Sequence, residues 1–431
     1  MRYIITSAQR NAGVNKNLLR NMLRFAKQHS VDKILVVPMA GKYKEEEHLD
    51  EALLEFEMVD KLRLNNNLMV LDAKILPQQI DPFRGMAGKL SRDYSYILPS
   101  PKVRYKSIAN NSKYPRALMS TGAITRPNYK TWQAHGRKAL EQHQFGFVYV
   151  EIVDKTIFHA HQVEATQNGD FHYLTEKYYG GILTRTAPEA LILGDWHTGD
   201  TCPKVRKETL KMIADLKPKR VVLHDVFNGH SINHHERGDL LAELRLIKDK
   251  RVGLESEARL VYNELKTLAG TFPKVEFFVV RSNHDDFLEK YIKGKKFIED
   301  PENFLFTCQV IPHIIDTKAI PLKEMLGLIG EIPSNVRFFQ QNESYRVRGV
   351  ELAEHGHLGI NGSRGTPRQY SRHNLKMITG HTHSPELNEN GMTVGTSTKL
   401  RLNYTNGASS WLNTHGILYA NGKYALLPLI L

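Results

Sequence analysis

The chain has 431 residues, of which 41% are hydrophobic and 24% are charged. These proportions are ordinary for a globular protein, and the length exceeds that of most single domains, so we expect two domains. Lysine and arginine outnumber aspartate and glutamate by 59 to 46, which gives a formal net charge of +13. A basic protein of this kind commonly binds a polyanion, most often nucleic acid, although a basic surface can also serve solubility alone.

Two further features of the composition concern location. No apolar stretch approaches the ~18 residues that span a bilayer, and the first residues lack the long apolar segment of a signal peptide. The two cysteines, Cys202 and Cys308, are too few for a disulfide framework and suit a reducing compartment. We therefore expect a cytoplasmic protein without a membrane partner.

Residues 1–180 are predicted to form a smaller α/β domain of uncertain role. Its start is typical of a β-α-β unit, with a strand at Tyr3–Thr6, an amphipathic helix at Asn17–Gln28 and a strand at Lys33–Pro38. Further strands are expected at Leu68–Leu71 and Phe147–Ile152. The composition of residues 99–128 favours a loop, in which Pro101–Lys106 and Arg116 either face phosphates or are simply solvated.

The second predicted domain spans residues 187–431. The boundary is placed between Tyr178 and Ala187, where Gly180, Gly181 and Pro188 interrupt the pattern. Two helical insertions are expected within this domain, near residues 239–270 and 286–345. Near its end, Asn421-Gly422 between apolar runs predicts a β-hairpin.

Five short apolar runs in this second domain each end at side chains that can bind a metal ion. Apolar runs of this length are typical of buried strands, and the loops beyond the carboxyl ends of strands build the sites of open α/β sheets. The runs lead into Asp195-Trp196-His197, His224-Asp225, Asn283-His284-Asp285, His355-Gly356-His357 and His381-Thr382-His383. Together these residues have the composition of a two-metal hydrolytic centre.

The order of these motifs resembles the calcineurin-like metallophosphoesterase superfamily, from about Pro188 to the last residue. Within it the chain is similar to the DNA-degrading, DNA-transfer nucleases of T-five-like bacteriophages. The resemblance implies a mixed β-sandwich flanked by helices for residues 187–431, and action in the host cytoplasm. One position departs from the pattern, because His224 stands where the superfamily usually has glycine.

The resemblance also implies a set of ligands for two divalent ions. Asp225 would bridge the ions. Asp195, His197 and His383 would complete one site, and Asn283, His355 and His381 the other. Oxygen and imidazole ligands suit Mn, Fe or Zn and disfavour calcium, and Mn is preferred because it serves similar phage and repair nucleases. His357 is the alternative to His355.

Further roles are expected around these ligands. By the resemblance, His284 would be the general acid and Asp285 would orient its imidazole; the alternative for His284 is a surface histidine. Arg364 and Arg368, with Arg372, either bind the phosphate backbone of a nucleic acid or lie in a solvated basic loop. The cluster of His224, His230, His234 and His235 either contacts substrate phosphate or is a solvated polar loop.

Three functions compete at this point. A DNase fits the positive charge and the Asn-His-Asp form of the third motif. A phosphomonoesterase acting on nucleotides or phosphoproteins is less favoured, because protein phosphatases of the superfamily carry an arginine after the second motif, where this chain continues with Val226, and Asn-His-Glu at the third. A non-enzymatic interaction protein would not need seven ligands. Endonuclease and exonuclease action both remain open, as does assembly into a homo-oligomer.

Overall fold

The computed structural model describes residues 1–39, 48–233, 239–248, 251–363, 365, 369, 375–402 and 407–430. Its contacts divide the chain into two compact units. The first consists of Met1–Pro188, His383–Thr393 and Leu400–Leu431, and the second of Glu189–Thr382 and Val394–Lys399. Among the described residues, no helix is both long enough and apolar enough to cross a membrane.

The first unit is a mixture of sheet and helix. Its strands up to Pro188 are β1 (Arg2–Ala8), β2 (Lys33–Pro38), β3 (Glu57–Met58), β4 (Lys61–Arg63), β5 (Leu68–Leu71), β6 (Ser95–Leu98), β7 (Tyr105–Ile108), β8 (Arg116–Ser120), β9 (Phe145–Ile152), β10 (Phe158–Ala165), β11 (Phe171–Tyr173), β12 (Glu176–Tyr179) and β13 (Ile182–Arg185). Its helices are α1 (Lys16–Gln28) and α2 (Ala134–Glu141). Eight of the strands form a sheet in the order β13-β12-β11-β10-β9-β1-β2-β3.

The predicted β-α-β start of the chain is confirmed. Strands β1 and β2 are parallel, with Ile4 opposite Ile34, and α1 connects them. The side chain of Asn15 caps α1 by accepting a hydrogen bond from the backbone N–H of Leu18 at 3.1 Å. The apolar face of the helix, including Met22 and Phe25, is fully buried in the core beside the sheet.

The expectation of a loop over residues 99–128 is wrong in part, because β7 and β8 lie there. All five residues of β8 are buried, and the strand pairs with β6 on one side and β7 on the other. A strand buried on both faces has no alternation of polar and apolar residues. Arg116 and Ser120 therefore read as loop residues in the sequence although they lie within a sheet.

The second unit carries the five apolar runs that lead into the motifs. Its strands are β14 (Ala190–Ile192), β15 (Arg220–Leu223), β16 (Glu276–Val279), β17 (Val336–Phe338), β18 (Arg346–Val347), β19 (Val350–Glu351) and β20 (Lys376–Thr379). Its helices are α3 (Pro203–Leu216), α4 (Leu240–Lys248), α5 (Leu254–Thr271), α6 (Asp285–Lys293), α7 (Pro301–Ile314) and α8 (Pro321–Gly327). Helices α4 and α5 occupy the first expected insertion, and α6, α7 and α8 lie in the second.

Parallel pairing places the ends of neighbouring motif strands at the same edge within each of two sheets. Strands β14, β15, β16 and β17 are adjacent and parallel, and β19 is parallel to β20. The carboxyl ends of parallel strands lie at the same edge of a sheet, so the loops that follow β14, β15 and β16 start side by side. The same holds for the loops after β19 and β20. All five apolar runs are strands, as predicted.

The last strands, β21 (Glu386–Asn388), β22 (Gly391–Thr393), β23 (Thr414–Leu418) and β24 (Tyr424–Pro428), belong to the first unit. The division therefore differs from the predicted domain of residues 187–431. The reason is long-range pairing, since β21 lies antiparallel to β7, with Leu387 opposite Tyr105. Strands β23 and β24 form the predicted hairpin, in which Gly422 has a φ of +77° that favours glycine. Gly180 and Gly181 likewise lie in a hairpin turn, between β12 and β13.

Candidate metal centre

Four buried side chains from three of the motifs form a group that could hold a metal ion. Asp195 and His197 follow β14, Asp225 follows β15, and His383 follows β20. One ligand atom from each lies within 4.8 Å of the others. Carboxylate and imidazole donors at this separation suit a divalent transition metal. The group contains the bridging aspartate and the first set of ligands that the resemblance implied.

The remaining candidate ligands form a second set of close donor atoms. The side-chain oxygen Oδ1 of Asn283 lies 3.1 Å from Nε2 of His355 and 3.0 Å from Nδ1 of His381. Nε2 of His355 is also 3.2 Å from Oδ2 of Asp225. Two ligands of one metal ion, each at about 2.1 Å from it, lie roughly 3.0–3.4 Å apart in octahedral or tetrahedral geometry. The spacing of this second set therefore also fits a metal ion.

The burial of Asp225 provides an independent test of that fit. Its side chain is 2% exposed, and its Oδ1 atom has no hydrogen-bond partner in the described structure. A buried carboxylate oxygen without a partner destabilises the folded state by about 1–3 kcal/mol or more. A bound cation would remove that cost. Asp225 is thus suited to lie between two ions.

The backbone at these positions is also unusual. His197, Asp225, His381 and His383 all have positive φ angles, between 47° and 73°. Residues other than glycine rarely adopt this conformation, which costs about 1–2 kcal/mol each. Strain of this kind is concentrated at functional sites, where the surrounding structure holds it in place. Four of the seven candidate ligands therefore have backbone conformations that are intrinsically unfavourable for their residue types.

The charges in the centre set the protonation of its ligands. Burial alone would raise the pKa of Asp225, but the positive charges of His355, His284 and His197 hold that pKa well below its usual range. Burial would likewise lower the pKa of His355, yet the carboxylates of Asp225, Asp195 and Asp285 raise it to about 9. Without an ion, the positive charge of His355 compensates the buried carboxylates.

Metal binding should therefore release protons and tighten as the pH rises toward 9. A protonated imidazole cannot bind a metal, so an ion must displace the proton of His355, and affinity should rise about tenfold per pH unit for each proton released. Calorimetric titration with Mn²⁺ at about pH 7, in two buffers of different protonation enthalpy, measures the release. Equal heats in both buffers would contradict it.

The contacts favour His355 over His357 as the ligand. The ring of His357 lies 5.4 Å from that of His355, and neither of its nitrogens has a hydrogen-bond partner among the described residues. Burial, with the charges of His355 and His381, lowers the pKa of His357 to about 3. His357 is therefore a neutral neighbour of the donor atoms, whereas His355 contacts both Asp225 and Asn283.

One residue that the sequence analysis missed, Asn228, orients two of the histidines. Its Oδ1 lies 2.7 Å from Nδ1 of His197, and its backbone carbonyl oxygen lies 2.7 Å from Nδ1 of His284. Its Nδ2 donates to the carbonyl oxygen of Thr198, which fixes the direction of the amide. Both imidazoles therefore carry a proton on Nδ1 and present Nε2. The only signal in the sequence was an asparagine three residues after Asp225.

Asp285 makes a different contact from the one expected of it. Its Oδ2 accepts a hydrogen bond from the backbone N–H of Ser282 at 2.8 Å, so it closes the turn before α6. The Asn228 carbonyl instead orients the His284 ring. Burial, together with the charge of Asp225, raises the pKa of Asp285 to about 7.

The histidine that replaces the usual glycine is accommodated by Gly380, which directly follows β20. His224 is fully buried, and its Nδ1 lies 3.4 Å from Nδ1 of His355. A Cβ atom on Gly380 would come within 2.1 Å of Asp195 Oδ1 and 3.0 Å of the His224 side chain. The residue without a side chain that this close packing requires is thus Gly380.

Of the other residues expected near the substrate, the structure describes His230 but not the remaining histidines and arginines. His230 is held by structural contacts, with Nε2 2.8 Å from Oδ2 of Asp200 and its backbone N–H donating to the buried Glu257. Asp200 also accepts from Arg251, at 3.1 Å. The remaining residues of these predictions, His234, His235, Arg364, Arg368 and Arg372, lie outside the described residues.

Comparisons with known proteins show a similarity to a phage protein. No protein-family model matches the sequence. Among solved structures, Vps29 of Chaetomium thermophilum is 13% identical with a TM-score of 0.23, covering 43% of this chain and 96% of that one, and a score this low does not indicate a common fold. The chain is 28% identical over 467 residues to Protein A1 of Escherichia phage T5, covering 99% of this chain and 81% of the phage protein. The chain is thus similar to a phage protein over nearly its whole length.

Proposed function

We propose that this protein is a divalent-metal-dependent phosphodiesterase with a two-ion centre, and that its substrate is DNA. The observation that carries the proposal is the position of Asp225 between two sets of donor atoms. Its Oδ2 lies 3.7 Å from Nε2 of His197 in the first set and 3.2 Å from Nε2 of His355 in the second. A carboxylate that joins two sets of ligands is the arrangement needed to hold two ions ~3.5–4 Å apart.

The chemistry follows from the charge of the substrate. A phosphodiester repels hydroxide, and a pair of divalent ions supplies an activated water and neutralises the phosphoryl oxygens. His284 would protonate the departing oxygen. With its Nδ1–H donated to the carbonyl oxygen of Asn228, its Nε2 is left to carry and release that proton. Asn228 also fixes His197 in the tautomer that binds a metal through Nε2.

Three observations support DNA as the substrate. The net charge of +13 suits a polyanion. The order of the five motifs resembles metallophosphoesterases, and Val226 and Asp285 stand where protein phosphatases of that superfamily have arginine and glutamate. The similarity to a protein of phage T5 agrees with a phage nuclease that acts in the host cytoplasm. We propose Mn²⁺ as the ion and the calcineurin-like fold for the second unit.

Purified protein should cut DNA only when a divalent ion is present. The assay compares linear and circular duplex DNA with and without Mn²⁺, beside a small phosphomonoester, and uses the Asp225→Asn variant to exclude contaminating nuclease. Cutting of the circular form identifies an endonuclease. Hydrolysis of the monoester without any cutting of DNA would instead favour a phosphomonoesterase.

A further inference from the structure

The positive charge of the chain is concentrated in one part of the first unit. Between Asp93 and Glu141 there is no aspartate or glutamate. The same stretch contains nine lysines and arginines: Lys102, Arg104, Lys106, Lys113, Arg116, Arg126, Lys130, Arg137 and Lys138. Lys102 and Arg116 are buried, but the four in segment 126–138 are all exposed. This segment therefore presents positive charge to solvent without carboxylates of its own.

The same segment exposes the large aromatic ring of Trp132. Its side chain is 72% exposed, whereas Trp196 is 1% exposed and Trp411 is partly buried. Leaving a tryptophan ring in water forfeits the ~1.5–3 kcal/mol that burial of a large apolar side chain provides. It is also the one large apolar side chain that segment 126–138 exposes. An exposed ring of this size is commonly a contact for a partner.

Local contacts define the backbone turn that carries the ring and its charged neighbours. Nζ of Lys130 lies 5.7 Å from the centroid of the Trp132 ring. The guanidinium of Arg137 donates to the carbonyl oxygens of Thr131 and Trp132, at 3.2 and 3.4 Å. A Cβ on Gly136 would lie 2.1 Å from the carbonyl oxygen of Lys130, so only glycine allows the start of α2 to pack this closely on the turn. The aromatic ring is therefore presented on a defined turn with cations beside it.

We propose that segment 126–138 binds single-stranded nucleic acid, with Trp132 stacking on an unpaired base and Arg126, Lys130 and Lys138 contacting phosphates. Proteins that bind single strands without sequence preference combine aromatic rings with a positively charged surface in this way. A membrane surface is less suitable, because the other exposed side chains of the segment are polar or charged apart from Ala134. That the strand is DNA rests on the proposed function.

The test uses the full-length protein in EDTA, so that binding is measured without cleavage. Binding of a fluorescein-labelled thymidine oligonucleotide of about 20 residues is followed by anisotropy, and tryptophan emission is recorded in parallel. Trp132→Ala should weaken binding about 5- to 150-fold, the usual contribution of one stacked base. Trp132→Phe should retain most of the affinity but lose the quenching of tryptophan emission. Unchanged affinity in Trp132→Ala would overturn the proposal.

The charged residues give a separate readout. Replacing Arg126, Lys130 and Lys138 together with glutamine should make the slope of log K against log salt shallower by roughly 2, at ~0.7 per phosphate contact on a single strand. Lys155→Gln, an exposed lysine of the same unit outside the segment, is the matched control and should leave the slope unchanged. Binding of anionic lipid vesicles by wild type, lost in Trp132→Ala, with no binding of the oligonucleotide, would assign the segment to a membrane surface and overturn the proposal.

The two proposals can fail separately. Trp132 is exposed and is not a metal ligand, so Trp132→Ala should keep its metal content and its cleavage of duplex DNA at saturating concentration. If wild type binds the oligonucleotide through Trp132 but cuts no DNA with Mn²⁺, the proposed nuclease function is wrong and the proposed binding surface stands. If wild type cuts DNA and Trp132→Ala binds the single strand normally, only the proposed binding surface is wrong.

Discussion

Asp225→Asn should abolish the metal centre as a unit. The carboxylate oxygen Oδ2 lies near ligands of both sets, so its negative charge would stabilise both ions. Loss of this charge should lower the number of bound ions from about two per chain to less than one at limiting Mn²⁺. It should also slow hydrolysis on the order of 10³-fold or more. Metal analysis by mass spectrometry after gel filtration, with parallel cleavage assays, measures both effects.

His383→Ala is the matched control for this substitution. His383 belongs to the group of Asp195, His197 and Asp225, and not to the set around Asn283. The His383→Ala variant should therefore lose mainly one of the two ions. The two-ion centre would be contradicted if wild type never bound more than one ion per chain with Mn²⁺ in excess. It would also be contradicted if the two variants lost metal to the same extent.

His284→Ala should separate turnover from metal binding. The ring is held by the carbonyl oxygen of Asn228 and is not among the proposed ligands. The variant should keep its ions and slow hydrolysis by ~10²–10⁴-fold, the usual contribution of a positioned general acid. Metal content and single-turnover cleavage rates, measured on the same preparation, give the comparison.

The matched control for His284 is its neighbour. Asp285 accepts from the backbone N–H of Ser282 and does not orient the ring, and asparagine can accept the same hydrogen bond. Asp285→Asn should therefore cost far less turnover than His284→Ala. A loss as large as that of His284→Ala would return Asp285 to the orienting role that the resemblance implied. Wild-type turnover in His284→Ala would remove His284 from the mechanism.

The sequence was most informative where structure is local. Each apolar run predicted a strand, closely followed by a side chain that can bind a metal ion: Asp195, Asp225, Asn283, His355 or His381. The structure has a strand before each of these residues. Helix α1 and the hairpin at Asn421-Gly422 were predicted for the same reason. Hydrophobic period and turn chemistry depend on neighbouring residues, so one sequence is enough to show them.

Long-range pairing decided what the sequence could not. The buried strand β8 lacks alternation of polar and apolar residues. Strand β21 joins the first unit because it pairs with β7, where Leu387 lies opposite Tyr105, 282 positions earlier in the chain. Nothing in the local pattern identifies such a partner. The predicted domain limits therefore differ from the compact units, although the strands themselves were expected.

The same division applies to the candidate metal centre. Its candidate ligand residues could be named from the sequence, but the contacts that orient them could not. Asn228 holds His197 by its side chain and His284 by its carbonyl oxygen, and Gly380 gives Asp195 and His224 the space they need. A hydrogen bond requires two atoms within about 3 Å, and packing of distant segments sets that distance. The sequence by itself determined which side chains follow the strands, and the tertiary structure alone decided which of them meet.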